Sequence, residues 1–221
     1  MNQIAKNINE LRSKIPSNVK IIAVSKTKPV PKIREAMDAG HIVFGENKVQ
    51  ELLEKHEQIP DAQWHLTGHL QTNKVKYIAH FVQMIQSVDS LRILEEIDRQ
   101  ANKCNRVIDC LLQIHIAREE TKFGFSEQEI IDLLDTNTVQ NLKHVRICGL
   151  MGIATFTDDM ETVRMEFKGL ANFFQRLRKE YFHENSPFCE LSIGMSDDYP
   201  IAIEEGATMV RIGSLIFGER T

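Results

Sequence analysis

Leu191-Ser-Ile-Gly-Met-Ser196 and Ala207-Thr-Met-Val-Arg-Ile-Gly-Ser-Leu-Ile-Phe-Gly218 decide the fold of this chain. Each is a short β-type run that ends in small residues, Gly194 and Ser196 in the first, Gly213 and Ser214 in the second. Small residues after a strand let backbone N–H groups approach an anion closely. As the last two strands of a (β/α)8 barrel, these runs and their loops form the phosphate cup usual in that fold. The first expectation is therefore a phosphate-bearing ligand.

Upstream, apolar runs alternate with helical patterns. Ile4, Ile8, Leu11 and Ile15 recur at helical spacing and predict a leading helix over 2–14. Strands are expected at 20–25, 42–44, 63–67, 81–87, 107–116, 145–153, 188–193 and 208–212. Pro31 opens a helix that Gly40 closes. Further helices follow the second strand to about Glu57 and begin at Gln71, and Asp89 is expected to cap the next. Ser126 and Glu129 stand at capping-box spacing, and amphipathic patterns cover 160–181 and 197–205. Eight strands, each followed by a helix or helical turn, in about 200 residues mean parallel pairing with helical crossovers. An open doubly wound sheet is the runner-up, disfavoured by the strand count and by the lack of a Gly-rich turn after the first strand. The expected fold class is α/β, a single (β/α)8 TIM barrel with an extra N-terminal helix, one domain over residues 1–221.

Composition narrows the function classes. Hydrophobic content of 42% and charged content of 26% are ordinary for a globular protein. A net charge of −4 and a pI near 6.1 give a surface that on average repels nucleic acid and acidic membranes. Cys104, Cys110, Cys148 and Cys189 lack close metal-type spacing and read as reduced thiols, the last three in apolar or strand-like runs expected to be buried. The histidines show no metal-ligand spacing, and no Walker or nucleophile-elbow sequence appears. With no apolar signal core and no run long enough to span a bilayer, the expected location is the cytoplasm.

In such a barrel the working residues sit at the C-terminal ends of strands. Alternation puts Ile22, Val24 and Lys26 on one face of the first strand. A lysine in a barrel mouth is poorly solvated, which favours the neutral amine, and a neutral amine can attack an aldehyde to form a Schiff base. A solvated loop lysine is the bland alternative, and Lys28 competes on the same face. Arg211, just inside the end of strand eight, either points into the barrel to donate to a ring nitrogen or pairs with a carboxylate outside. Ser196 and Ser214 can donate hydroxyls to phosphate, and the N–H groups of Gly213 and Ser214 open a short final helix; plain helix capping explains the same residues.

Taken together, Ala23-Val-Ser-Lys-Thr-Lys28, Phe44-Gly-Glu-Asn-Lys-Val-Gln-Glu51, Trp64-His-Leu-Thr-Gly-His-Leu-Gln-Thr-Asn-Lys74, Ser87-Val-Asp-Ser90, Lys122-Phe-Gly-Phe125, Gly149-Leu-Met151 and the run 191–220 resemble the YggS/PROSC family of pyridoxal phosphate (PLP) homeostasis proteins. One such stretch can arise by chance; seven in the family's order span nearly the whole chain. The resemblance implies the alanine racemase N-terminal type of barrel with PLP in its mouth. It implies that Lys26 carries the cofactor as a Schiff base and that Asn47 lies near its phenolic oxygen. It places Arg211 near the pyridine nitrogen and Ser196, Gly213 and Ser214 at the phosphate, with Met195 adding a backbone contact. Departures from the family pattern are Ile193 for Met, His115 for Asn after strand five, Leu66-Thr67 for Phe-Ile, and Gln86 for His.

A lysine-bound cofactor does not make an enzyme, because the protein must also bind substrate and move protons. Racemases and decarboxylases of this barrel class add a β domain and a partner subunit, whereas Thr221 follows directly on the eighth unit here. An arginine at the pyridine nitrogen also weakens the cofactor's electron sink. The expectation is a non-catalytic PLP carrier in vitamin B6 and amino-acid/keto-acid balance, a monomer, with PLP-dependent apo-enzymes as recipients. The alternatives are a small PLP-dependent amino-acid racemase-like enzyme, a Schiff-base aldolase without PLP, and a regulatory interaction module.

Overall fold

A computed structural model describes residues 2–117, 123–136, 138–182 and 186–219. Met1, Lys122, Arg220 and Thr221, on which parts of the sequence reading fall, lie outside the described residues. The chain starts with α1 (Gln3–Lys14), which buries Ile4, Ile8 and Leu11 as its periodicity demands. Asn2 caps it, the side chain accepting the Ala5 N–H at 2.8 Å. Then come β1 (Lys20–Val24), α2 (Val30–Asp38), β2 (Val43–Glu46), α3 (Val49–Gln58) and β3 (Gln63–Leu66). A 3-10 turn at Thr72–Lys74 runs into α4 (Val75–Ile78), followed by β4 (Met84–Val88), α5 (Leu91–Lys103) and β5 (Ile108–Ile114). The remainder is α6 (Glu127–Asp135), α7 (Thr138–Asn141), β6 (Val145–Gly152), α8 (Met160–Glu180), β7 (Glu190–Ser192), α9 (Tyr199–Glu204), β8 (Met209–Ile212) and α10 (Ser214–Phe217).

The strands pair in parallel in sequence order, and β8 closes on β1 with Ile22 opposite Arg211 and Ala23 opposite Ile212. Closure leaves no sheet edge and creates two apolar layers. Ile22, Met84, Leu111, Cys148, Met151 and Met209 fill the barrel interior. The larger layer lies between strands and helices and includes Phe44, Trp64, Phe167 and Phe188. The eight-stranded closed barrel expected from the sequence is the fold observed, and the open sheet is excluded.

Several local expectations need correction. Ser90, not Asp89, caps α5, accepting the Ile93 N–H. The Asp89 carboxylate instead takes His69 Nδ1 at 2.7 Å. β4 begins three residues later than expected, because the Phe81 and Val82 N–H groups still bond to the Ile78 carbonyl in the turn after α4. The helix expected from Gln71 is only a 3-10 turn plus the four residues of α4. Cys189 is exposed, not buried, because its side chain points outward between the buried Phe188 and Glu190. The short α7 had no sequence forecast. The Ser126–Glu129 capping box forms as read.

Candidate functional site

The C-terminal ends of the strands surround a cavity of about 460 Å3, within the usual range for small-molecule sites. Lys26, Asn47, Met195, Ser196, Arg211, Gly213 and Ser214 all line it, as does Lys28. β1 ends at Val24, so Lys26 stands in the turn beyond it, not on the strand. The expected phase still holds: Ile22 is in the barrel interior, and Val24 and Lys26 line the cavity above it. The turn is closed by the Lys28 N–H bonding to the Ser25 carbonyl at 2.9 Å. The Lys28 ammonium is engaged at the rim, donating to the Glu219 carbonyl at 2.7 Å.

The two alternatives for Arg211 are resolved by burial. Its guanidinium lies inside the barrel, with Nη1 donating to the Ser192 carbonyl at 2.7 Å and to Ser192 Oγ at 2.8 Å. Nη2 donates to the Gly152 carbonyl at 2.9 Å. Burial lowers its pKa to about 10, so it remains a cation and an obligate donor at neutral pH. Behind it runs a directed chain of hydrogen bonds. Ser192 Oγ donates to Gln86 Oε1 at 2.7 Å, and Gln86 Nε2 donates to His65 Nδ1 at 2.9 Å. An amide nitrogen only donates, so His65 Nδ1 accepts and the ring proton sits on Nε2. Burial pulls the His65 pKa down to about 4. Gln86 thus links His65 to Ser192 and, through it, to Arg211.

The loops after β7 and β8 meet through the Gly213 N–H, which donates to Ser196 Oγ at 3.3 Å. Gly194 in the first loop has φ +88, and a Cβ there would lie 2.5 Å from Ala202 Cβ, so only glycine fits. Asp198, to which the sequence reading gave no role, shapes this loop: its carboxylate accepts the Met195 N–H at 2.5 Å. Burial raises the Asp198 pKa, opposed by that bond and by Arg211. The first N–H groups of α10 have no acceptor within the helix, as at any helix start. Across the mouth, Asn47 Oδ1 accepts from Thr67 Oγ1 at 3.0 Å. The β3 loop passes so close that a Cβ on Gly68 would lie 2.4 Å from the Asn47 carbonyl oxygen. His115 does not line the cavity; its N–H bonds to the Phe125 carbonyl at 3.0 Å.

A second group missed by the sequence reading lies behind Lys26. Glu46 at the end of β2 is fully buried and accepts from Ser25 Oγ at 2.6 Å and from Lys55 Nζ at 2.7 Å. Burial pushes the Glu46 pKa up, and Lys55 opposes the shift. The Glu51 and Lys55 pair was legible only as an i, i+4 couple on a helix, a pattern that is usually a surface feature.

Among the described residues no group of three or more His, Cys, Asp or Glu side chains is arranged to hold a metal, and no helix is long and apolar enough to cross a membrane. A cavity with lysine side chains at one wall, a buried cation on its floor and a small-residue, N–H-rich loop pair on the other side fits a phosphorylated aromatic aldehyde such as PLP. The lysine suits the aldehyde, the guanidinium suits a ring nitrogen, and the loops suit a phosphate.

Comparison with known proteins identifies the family of the chain. The alanine racemase N-terminal domain family matches residues 1–221. A pyridoxal phosphate homeostasis protein of Aquifex aeolicus is 42% identical over 203 residues, covering 91% of this chain and 87% of that protein. The structure of PipY of Synechococcus elongatus with PLP bound superposes with a TM-score of 0.89 at 36% identity, covering 98% of this chain and all of that one. An alanine racemase of Clostridium difficile shares the fold, with a TM-score of 0.80 at 14% identity; this chain covers 60% of it.

Proposed function

The chain belongs to the alanine racemase N-terminal domain family, with pyridoxal phosphate homeostasis proteins among its relatives, and from that premise we propose that it binds PLP in the barrel mouth and serves intracellular PLP homeostasis without catalytic turnover. The observation that carries the reading is the convergence of Lys26, Asn47, Met195, Ser196, Arg211, Gly213 and Ser214 on one cavity from four separate strand ends. Lys26 holds the cofactor covalently through its aldehyde. Ser196, Gly213 and Ser214 hold the phosphate, Asn47 the phenolic oxygen, and Arg211 the pyridine nitrogen. The Met195 N–H is already given to Asp198, so Met195 contributes through the shape of its loop and its place in the cavity lining.

When bound, PLP supplies an electron sink; the protein decides whether the sink is used. Arg211, held as a cation by three hydrogen bonds, presents only N–H donors to a ring nitrogen. Facing such a donor the nitrogen stays unprotonated, which weakens the sink and favours storage over carbanion chemistry. The names of the relatives, homeostasis proteins and not enzymes, support the same reading. In this proposal residues 1–221 act as one barrel domain, monomeric and cytoplasmic, exchanging PLP with PLP-dependent apo-enzymes.

The test is the visible spectrum of the purified chain with and without borohydride, followed by peptide mapping of the reduced adduct. A yellow band that borohydride abolishes, with the adduct on Lys26 and absent from Lys26→Ala, is expected. Loss of the band in Lys28→Ala but not in Lys26→Ala would reassign the lysine. Amino-acid racemisation that disappears with Lys26 would make the chain an enzyme.

A further inference from the structure

Glu46 and Lys55 form an ion pair whose side chains are 0% and 6% exposed. Removing two charges from water offsets most of their attraction, so such a pair adds little over well-packed apolar residues. Its position accounts for it better than stability does. The Lys55 ammonium spends its three donors on the Ser25 carbonyl, Glu46 Oε1 and Glu51 Oε1, each at 2.7 Å. The Ser25 hydroxyl donates to the same Glu46 oxygen at 2.6 Å. On the far side of Lys26, the Thr27 N–H donates to Glu51 Oε1 at 2.5 Å. The residues directly before and after the proposed cofactor lysine are thus both tied to one buried charge cluster. Thr27 has φ +65, a conformation that a β-branched residue adopts only under constraint. An unconstrained turn would relax it and carry the Lys26 side chain with it.

We propose that Glu46, Glu51 and Lys55 are positioning residues that clamp the Ser25–Thr27 backbone and so hold the Lys26 amine toward the cavity for attachment of an aldehyde. The proposal deepens the PLP reading and rests on it. In the attachment step the neutral Lys26 Nζ adds to the aldehyde carbon, a C=N bond forms, and the carbonyl oxygen leaves as water with the two amine protons. No oxidant or reductant is needed. The clamp acts on the rate of this step because a displacement of about 1 Å at a reacting amine costs up to about a hundredfold.

Glu51 tests the clamp with little risk to the fold, since its side chain is 22% exposed at the start of α3. Apo wild type, Glu51→Ala and Glu51→Gln are mixed with PLP, quenched with borohydride at timed intervals, and the adduct on Lys26 is quantified by peptide mass spectrometry. PLP held by Lys26→Ala with and without Glu51→Ala, which can retain it only non-covalently, and the thermal midpoint are measured alongside. Expected are a roughly tenfold to hundredfold slower attachment in Glu51→Ala and substantial recovery in Glu51→Gln, which keeps an oxygen for the Thr27 N–H. Non-covalent retention, which the phosphate loops supply, is expected to change little. The Lys55→Met, Glu46→Gln double variant, which removes both buried charges together, is expected to slow attachment in the same range. Wild-type rates in Glu51→Ala, or slowing only in proportion to lost stability, overturn the clamp and leave PLP binding standing. A wild type that never forms a Lys26 adduct overturns both.

Discussion

His65 lies buried under the site, 5% exposed, and is neutral because burial pulls its pKa from the ordinary 6.5 to about 4. A histidine with a depressed folded-state pKa stabilises the fold above its unfolded value, and that contribution is lost as pH falls from 6.5 towards 4. A shift of this size corresponds to about 3 kcal/mol lost by pH 4, from 1.36 kcal/mol per pKa unit. Protonating Nδ1 also forces a choice on Gln86, whose amide nitrogen then faces a second donor. The amide must turn or the bond must break, and either disturbs the link through Ser192 to Arg211. The perturbation is His65→Asn, which keeps an acceptor near Nδ1 but cannot titrate. The assay is urea unfolding at steps from pH 7 to pH 4, with the wild-type free energy compared with that of the variant at each step. The difference between the two profiles should decline by about 3 kcal/mol across this window, or about 6–12 °C in thermal midpoint for a chain of this size. Carboxylate titrations elsewhere cancel in the difference. Parallel profiles would refute the assignment of a buried neutral imidazole at the end of the chain.

Two further outcomes follow from the site itself. Ser192→Ala orphans the buried Gln86 Oε1 and removes one acceptor of the Arg211 guanidinium, at a cost of about 2–4 kcal/mol by chemical denaturation; a loss below about 1 kcal/mol would mean the chain of bonds is not held by the serine. Ser214→Asp, an exposed position, should leave stability nearly unchanged but weaken PLP retention at least about fivefold by like-charge repulsion, about 1–4 kcal/mol at 4 Å, and equilibrium dialysis showing unchanged retention would place the phosphate elsewhere.

The order of strands and helices was legible because it is written in local signals. Helical spacing in α1, the Pro31-to-Gly40 segment and the Ser126 capping box each depend on residues a few positions apart, and each formed as read. Misreadings were local competitions decided by one neighbour. Asp89 and Ser90 are both good caps, and the cross-loop bond to His69 removed Asp89 from contention. Cys189 sits in an apolar run, but alternation turns it outward between the buried Phe188 and Glu190.

From the amino acids alone came the eight-unit barrel, the phosphate-type loops and a lysine at the mouth, because periodicity and small-residue turns are properties of neighbouring positions. Only the tertiary structure decided which way Arg211 points, what Gln86 connects, and that Glu46, Glu51 and Lys55 meet behind Lys26. Those contacts join side chains from different strands and helices, and barrel closure and strand register bring them within hydrogen-bond reach; no spacing along the chain encodes that distance.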